Sequence, residues 1–250
     1  CWAASLIDYH ILKDLRRQHI LLGLHTLFSR ELIAASIEYF TNMPSESGAG
    51  FCKSIEQRPL FTCPWMRRGV SWVSSLCRRA PADRHVRNVT TPDARCEQVW
   101  GRVRGRVNCC SVSSAAWLQY RYVDCPGRSY DILVAEDIEG PCGLMVVGRK
   151  WFLKRREAVI AYALYARGDE ATLRALTAEA ASLARKAGLR GLRALVTESP
   201  TQQALWKSLG FATAEGQFVV HARDTRGNPL SASIASPEVF LPQLGDHDFV

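Results

Sequence analysis

Residues 157–165 (Glu-Ala-Val-Ile-Ala-Tyr-Ala-Leu-Tyr) and the punctuated stretch after them, down to Leu209-Gly210-Phe211, decide the fold. The first nine read as an apolar strand. Asp169 then stands where a helix needs an N-cap. Leu173, Leu176, Ala180, Leu183 and Ala187 follow at helical spacing, Arg185 and Lys186 suit the negative end of the helix dipole, and Gly188 ends it. Leu192–Thr197 reads as the next strand. Ser199-Pro200-Thr201-Gln202 supplies an N-cap, a proline at the first helical position and a capping-box partner for a helix that runs through Leu205 and Leu209 to Gly210. Residues 217–222 (Gln-Phe-Val-Val-His-Ala) complete the alternation as a strand.

Working outward from this block, Tyr130–Ala135 and Leu144–Val147 read as two strands joined at Glu139-Gly140-Pro141, with a helix over 96–106 before them. Residues 78–95, rich in Arg, Pro, Asp and Thr, read as a linker. Upstream, 4–12 and 36–41 read as strands, with a helix between them to about residue 34 and a short one over 50–55. Alternation on the first strand puts Asp8 and His10 on one face. The order predicts an α/β (α+β) fold of two or three layers and nothing sharper. Its division is a first unit at 1–77, the linker at 78–95 and a second unit at 96–250. The chain opens on Cys1 rather than Met and is read as a fragment.

Composition excludes several classes. With 47% apolar and 22% charged residues, and no apolar run near the 20 or so residues that span a bilayer, the pattern is that of a globular protein without a membrane helix. Nine cysteines at irregular spacing, with no CxxC pair, read as buried thiols of a reducing cytoplasm and not as a zinc or disulfide framework. The net charge of +8 suits an anionic partner. Much of it lies between Arg67 and Arg106. That run straddles Pro81 and Pro92 without aromatic platforms, so it reads as a solvated linker, with nonspecific nucleic-acid binding as the rival.

Two local patterns reach further. Ala204-Leu205-Trp206-Lys207-Ser208-Leu209-Gly210-Phe211 resembles the ending of the cofactor-binding core of the GNAT superfamily of acyl-CoA N-acyltransferases. Trp117–Tyr122, followed by Pro126-Gly127, resembles the start of GNAT-like bacterial proteins, and Leu244–Asp248 resembles their end. In the first unit, Ile11–Ile20 is similar to the strand-to-helix loop that carries the coenzyme's diphosphate in that family. Thr41–Ser47 is similar to the turn after the next strand, and Phe51–Ile55 to the closing helix. The resemblance implies a GNAT-like mixed sheet flanked by helices, in two copies with the N-terminal one incomplete. It also implies acetyl-CoA or another acyl-CoA as co-substrate and a small-molecule amine or amino sugar as acceptor. Coenzyme contacts fall on Arg16, Arg17, Gln18, His19, Ile20 and Asn42, and the catalytic candidates are Asp8 and His10 as base and Cys52 as proton donor.

Backbone N–H groups at a helix N-terminus form an anion nest, and glycines let phosphate approach. His19 and Leu21 stand at the glycine positions of the first loop. The second unit's turn, Ala166-Arg167-Gly168-Asp169-Glu170, has two carboxylates where phosphates would lie and Trp206 where an acidic hydroxyl would help. The first unit is therefore the expected coenzyme site. A GNAT-fold scaffold that has lost catalysis remains the alternative.

Overall fold

The structure is a computed structural model. It describes residues 3–5, 27, 30–34, 39–43, 49–70, 81–105, 114–124, 129–148, 156–166, 168–230 and 236–238. Nine strands form one mixed sheet: β1 (Ala3–Ser5), β2 (Tyr39–Asn42), β3 (Arg58–Gly69), β4 (His85–Val89), β5 (Tyr130–Asp137), β6 (Gly140–Gly148), β7 (Glu157–Tyr165), β8 (Gly191–Leu195) and β9 (Ala212–Asp224). Their spatial order is β1-β2-β9-β3-β8-β7-β6-β5-β4. The helices are α1 (Ala49–Ser54), α2 (Ala94–Val103), α3 (Ala115–Leu118, running into a π turn over Gln119–Val123), α4 (Glu170–Lys186) and α5 (Pro200–Ser208).

Alternation along β5 and β6 divides the core. Leu133, Ala135, Met145 and Val147 pack with Leu173, Leu176, Ala180 and Ala184 of α4. Ile132, Val134, Leu144 and Val146 pack on the other face with Cys96, Val99 and Val103 of α2 and with Leu118 and Tyr122. The result is helix, sheet, helix, the arrangement that buries both faces of a sheet with apolar runs this continuous.

The helix punctuation read from the sequence holds. Asp169 caps α4, its carboxylate accepting from Thr172 N at 3.0 Å. Ser199 caps α5, its hydroxyl accepting from Gln202 N at 3.1 Å. Gly188 (φ 70°) and Gly210 (φ 85°) take the left-handed backbone that ends each helix. The strand at 157–165 is found as read, while those read at 130–135, 144–147 and 217–222 are longer, at 130–137, 140–148 and 212–224. Of the strand expected at 4–12, β1 covers 3–5; its remainder lies outside the described residues.

Two expectations are corrected. The segment 78–95 is not only a linker, because it holds the edge strand β4, paired antiparallel with β5. Of its five residues only Val89 is buried, so it lacks the apolar alternation that announces a strand. Nor is its arginine run simply solvated. Arg87 bonds Glu136, Arg95 bonds Asp93, and Arg102 forks onto Asp137 at 2.9 and 2.6 Å. The second correction is β3, which the sequence reading left without an element. Pro59 and Pro64 interrupt its pattern, and the register with β9 shifts beside each of them. Bulges are where a central strand tolerates proline.

β3 precedes residues 78–95 in the chain, yet it lies between β8 and β9 and pairs antiparallel with both. Reciprocally, β9 lies between β2 and β3. The middle of the sheet is therefore twofold. The parallel pair β1–β2 is antiparallel to β9 as the parallel pair β7–β8 is antiparallel to β3. α1 links β2 to β3 as α5 links β8 to β9.

Candidate functional site

β7 and β8 run parallel only from Glu157↔Gly191 to Ile160↔Ala194. Beyond that they part. On β7 the register with β6 shifts between Val146 and Val147, leaving Ala161 as the extra residue of a bulge. The chain leaving β8 turns instead to β3, Val196 N donating to Pro64 O at 3.2 Å and Glu198 N to Thr62 O at 3.0 Å. Two strands that start paired and then diverge open a wedge, here lined by Ile160, Tyr162, Tyr165, Thr197, Gln202 and Trp206 among others.

Little room is left in the wedge. It encloses about 20 Å³, room for about one water. Tyr165 crosses it, its hydroxyl donating to Gln202 Oε1 at 3.1 Å. Gln202 thus gives its side-chain oxygen to the wedge. Burial pushes the Tyr165 phenol well above its ordinary range, so it stays protonated. Trp206 also lines it, packed edge-to-face on Phe211 with ring centroids 4.8 Å apart.

The start of α4, beside the wedge, is occupied by the protein's own anion. Asp169 accepts from Thr172 N and, at 2.7 Å, from Thr172 Oγ1. Arg84 Nε donates to the same Thr172 hydroxyl at 3.2 Å, and its Nη2 lies 3.8 Å from Asp169. The thiol of Cys142 sits 3.3 Å from Thr172 Oγ1, its pKa pushed up by burial. Glu170 pairs with Arg174 and accepts from Ser208 at 3.1 Å, tying α4 to α5. A diphosphate arriving here would meet a carboxylate already satisfying the helix end.

On the sheet's other face, Glu157 of β7 accepts from Arg193 of β8 and from Arg67 of β3. Arg193 is 2% exposed and lies over the Trp65 ring at 5.9 Å. Burial, the largest single influence on Glu157, raises its pKa, but hydrogen bonds and charge from Arg67 and Arg193 outweigh it and hold the carboxyl below its ordinary value.

The residues proposed from sequence distribute unevenly. Asp8, His10, Arg16, Arg17, Gln18, His19 and Ile20 lie outside the described residues. Asn42 ends β2, in register with His221 of β9. Cys52 lies in α1 and is fully buried. Sequence reasoning missed Tyr165, Thr172, Gln202 and Arg84. A tyrosine ending an apolar strand, with a glutamine behind a helix cap, was signal enough for the first and third. Arg84, inside the supposed linker, had none. Among the described residues no group of three or more His, Cys, Asp or Glu could hold a metal ion, and no helix is long and apolar enough to cross a membrane. Four of the nine cysteines, Cys52, Cys63, Cys96 and Cys142, lie in the described residues, and all four are buried and in no disulfide.

No protein-family model matches the sequence, and no curated protein does. Solved structures do match. A GCN5-related N-acetyltransferase from Anabaena variabilis superposes with a TM-score of 0.65 at 10% identity over 89% of this chain, which spans 55% of that one. A tandem GNAT protein from the clavulanic acid biosynthesis pathway gives 0.54 at 14% identity, over 92% of this chain and 76% of that one. The N-myristoyltransferase of Saccharomyces cerevisiae, solved with bound myristoyl-CoA, gives 0.51 at 13% identity, over 85% and 60%. Identities this low speak to architecture alone. The diverging parallel pair, the helices on both faces and these superpositions together establish that the chain has the fold of the GCN5-related N-acetyltransferases.

Proposed function

We propose that the protein is an acyl-CoA-dependent N-acyltransferase of tandem build, in which the N-terminal unit holds the coenzyme and the C-terminal unit shapes the acceptor side. The observation that carries this is the twofold repetition at the centre of the sheet. The β1–β2 pair repeats the β7–β8 pair, while the wedge of the second pair is filled by Tyr165, Gln202 and Trp206. Coenzyme binding then falls to the Arg16–Ile20 loop, whose backbone N–H groups and arginines suit a diphosphate.

In this reading the acceptor, a small amine or amino sugar, attacks the thioester carbonyl carbon of acetyl-CoA. The carbon–sulfur bond breaks, the amine's proton passes to Asp8 or His10, and the departing thiolate takes up a proton. Cys52 is the candidate donor of that proton, and its complete burial requires the cleft to open before it acts.

A second reading, a GNAT-fold scaffold without catalysis, draws on the self-capped start of α4 and the filled wedge. Isothermal titration separates the two. Heat on adding acetyl-CoA to the protein, lost in an Arg16→Ala, Arg17→Ala double variant, supports the enzyme; silence at millimolar coenzyme leaves the scaffold.

A further inference from the structure

Arg190 N donates to Arg156 O at 2.7 Å, and Val70 N to Arg190 O at 3.2 Å. These bonds bring the end of β3 and the starts of β7 and β8 to one place, where Gly191 stands in register with Gly69 on one side and Glu157 on the other. The last turn of α4 carries Arg185 and Lys186, and the chain passes from it through Gly188 and Arg190 into β8. Arg67, Arg156, Lys186 and Arg190 are exposed. Glu157, the carboxylate that opens β7, is buried and already bound by Arg67 and Arg193.

The arginines of the edge-strand region are differently placed. Arg84 lies 2.6 Å from Asp83, Arg87 3.0 Å from Glu136, Arg95 2.6 Å from Asp93 and Arg102 2.6 Å from Asp137. That run supplies little free positive charge, so the net +8 of the chain draws on residues elsewhere. Residues 185–191 hold three basic residues and no acidic one. Residues 149–156, Arg149-Lys150-Trp151-Phe152-Leu153-Lys154-Arg155-Arg156, hold five basic residues and no acidic one. Gly148 ends β6 opposite Val159 of β7, so the sequence between those strands starts and finishes at this same end of the sheet.

We propose that this end of the sheet docks the protein on an anionic phospholipid surface, with Arg156, Lys186 and Arg190 meeting the headgroup phosphates. Clustered lysines and arginines are the composition that such headgroups attract. Lipid is favoured over nucleic acid by Trp151-Phe152-Leu153, an apolar triad between two basic pairs. Residues of these types settle at headgroup depth, and Leu153 offers no face on which a base could stack. The β7–β8 wedge opens at the other end of the same two strands, beyond Ile160↔Ala194, so docking leaves it clear. The proposal does not depend on the acyltransferase reading.

The test is sedimentation of the full chain with phosphatidylcholine vesicles, with and without phosphatidylserine, and competition by oligothymidylate. The wild type is expected to bind the phosphatidylserine vesicles, to leave the neutral ones in suspension alone, and to be released as salt rises. Lys186→Ala combined with Arg190→Ala is expected to weaken that binding about tenfold. Arg87→Ala combined with Arg102→Ala removes as much charge from the paired run and is expected to weaken it less than about twofold. Equal loss in the two double variants makes net charge the cause and overturns the docking end. Equal binding to both kinds of vesicle, or binding to neither, overturns the proposal, and this comparison needs only the wild-type chain. Tighter binding of oligothymidylate than of the phosphatidylserine vesicles assigns the charge to nucleic acid and overturns it too.

Discussion

Arg67 of β3 bonds Glu157 of β7 across the whole width of the intervening strand β8. The reach is possible because β8 carries Gly191 at that level. A Cβ there would lie 3.2 Å from Arg68 O, 3.3 Å from Glu157 Cγ and 3.5 Å from Arg67 Nε. The same carboxylate binds Arg193, so one buried anion fixes three strands, one of them from before residues 78–95.

Glu157→Gln is expected to cost about 3 kcal/mol, because it leaves the buried Arg193 charge without its anion. The folded-state pKa of Glu157 is depressed, so its contribution is present above the unfolded carboxyl value of about 4.3 and is lost as pH falls through the folded one. Urea unfolding between pH 7 and pH 3 should show the wild type losing stability over that acid window and the variant losing less. Parallel curves would contradict this.

Gly143 of β6 lies closely under α4. An added Cβ would sit 2.3 Å from Thr172 Cγ2 and 3.1 Å from Leu176 Cδ1, both in α4. Gly143→Ala is therefore expected to destabilise by about 2 kcal/mol through overpacking, read as a lower urea midpoint at unchanged slope.

Asp169→Ala removes the α4 cap and should cost about 1 kcal/mol, with Asp169→Asn costing less because an acceptor oxygen remains. Neither variant is expected to change acetyl-CoA affinity, since the coenzyme is assigned to the other unit. Tighter binding in Asp169→Ala would instead locate a phosphate seat at α4.

Much of this was legible in the residues. Asp169, Gly188, Ser199, Pro200 and Gly210 announced two helices whose caps are found as read, and the apolar run at 157–165 announced the strand beside them. What hid was of two kinds. β4 is an edge strand with a single buried residue, and β3 is a central strand whose prolines sit at bulges, so neither shows the period of two. The filling of the wedge depends on Tyr165 meeting Gln202, 37 residues on, which no local pattern contains. The interlocking of the halves is likewise a long-range fact: nothing in residues 58–69 says that their neighbours are β8 and β9.

That interlocking carries its own expectation. A fragment of residues 78–250 would expose the facing edges of β8 and β9, which β3 otherwise fills. It should not fold alone, and co-expression with residues 1–77 should restore a soluble complex with native near-UV circular dichroism. A monomeric, cooperatively unfolding 78–250 fragment would contradict it.

The measurement that bears most directly on the assignment of coenzyme binding to the N-terminal unit is amide hydrogen exchange with and without saturating acetyl-CoA. The expected outcome is protection over residues 16–22 and 52–57, with 166–172 unchanged. Protection centred on 166–172, at the start of α4, would contradict it.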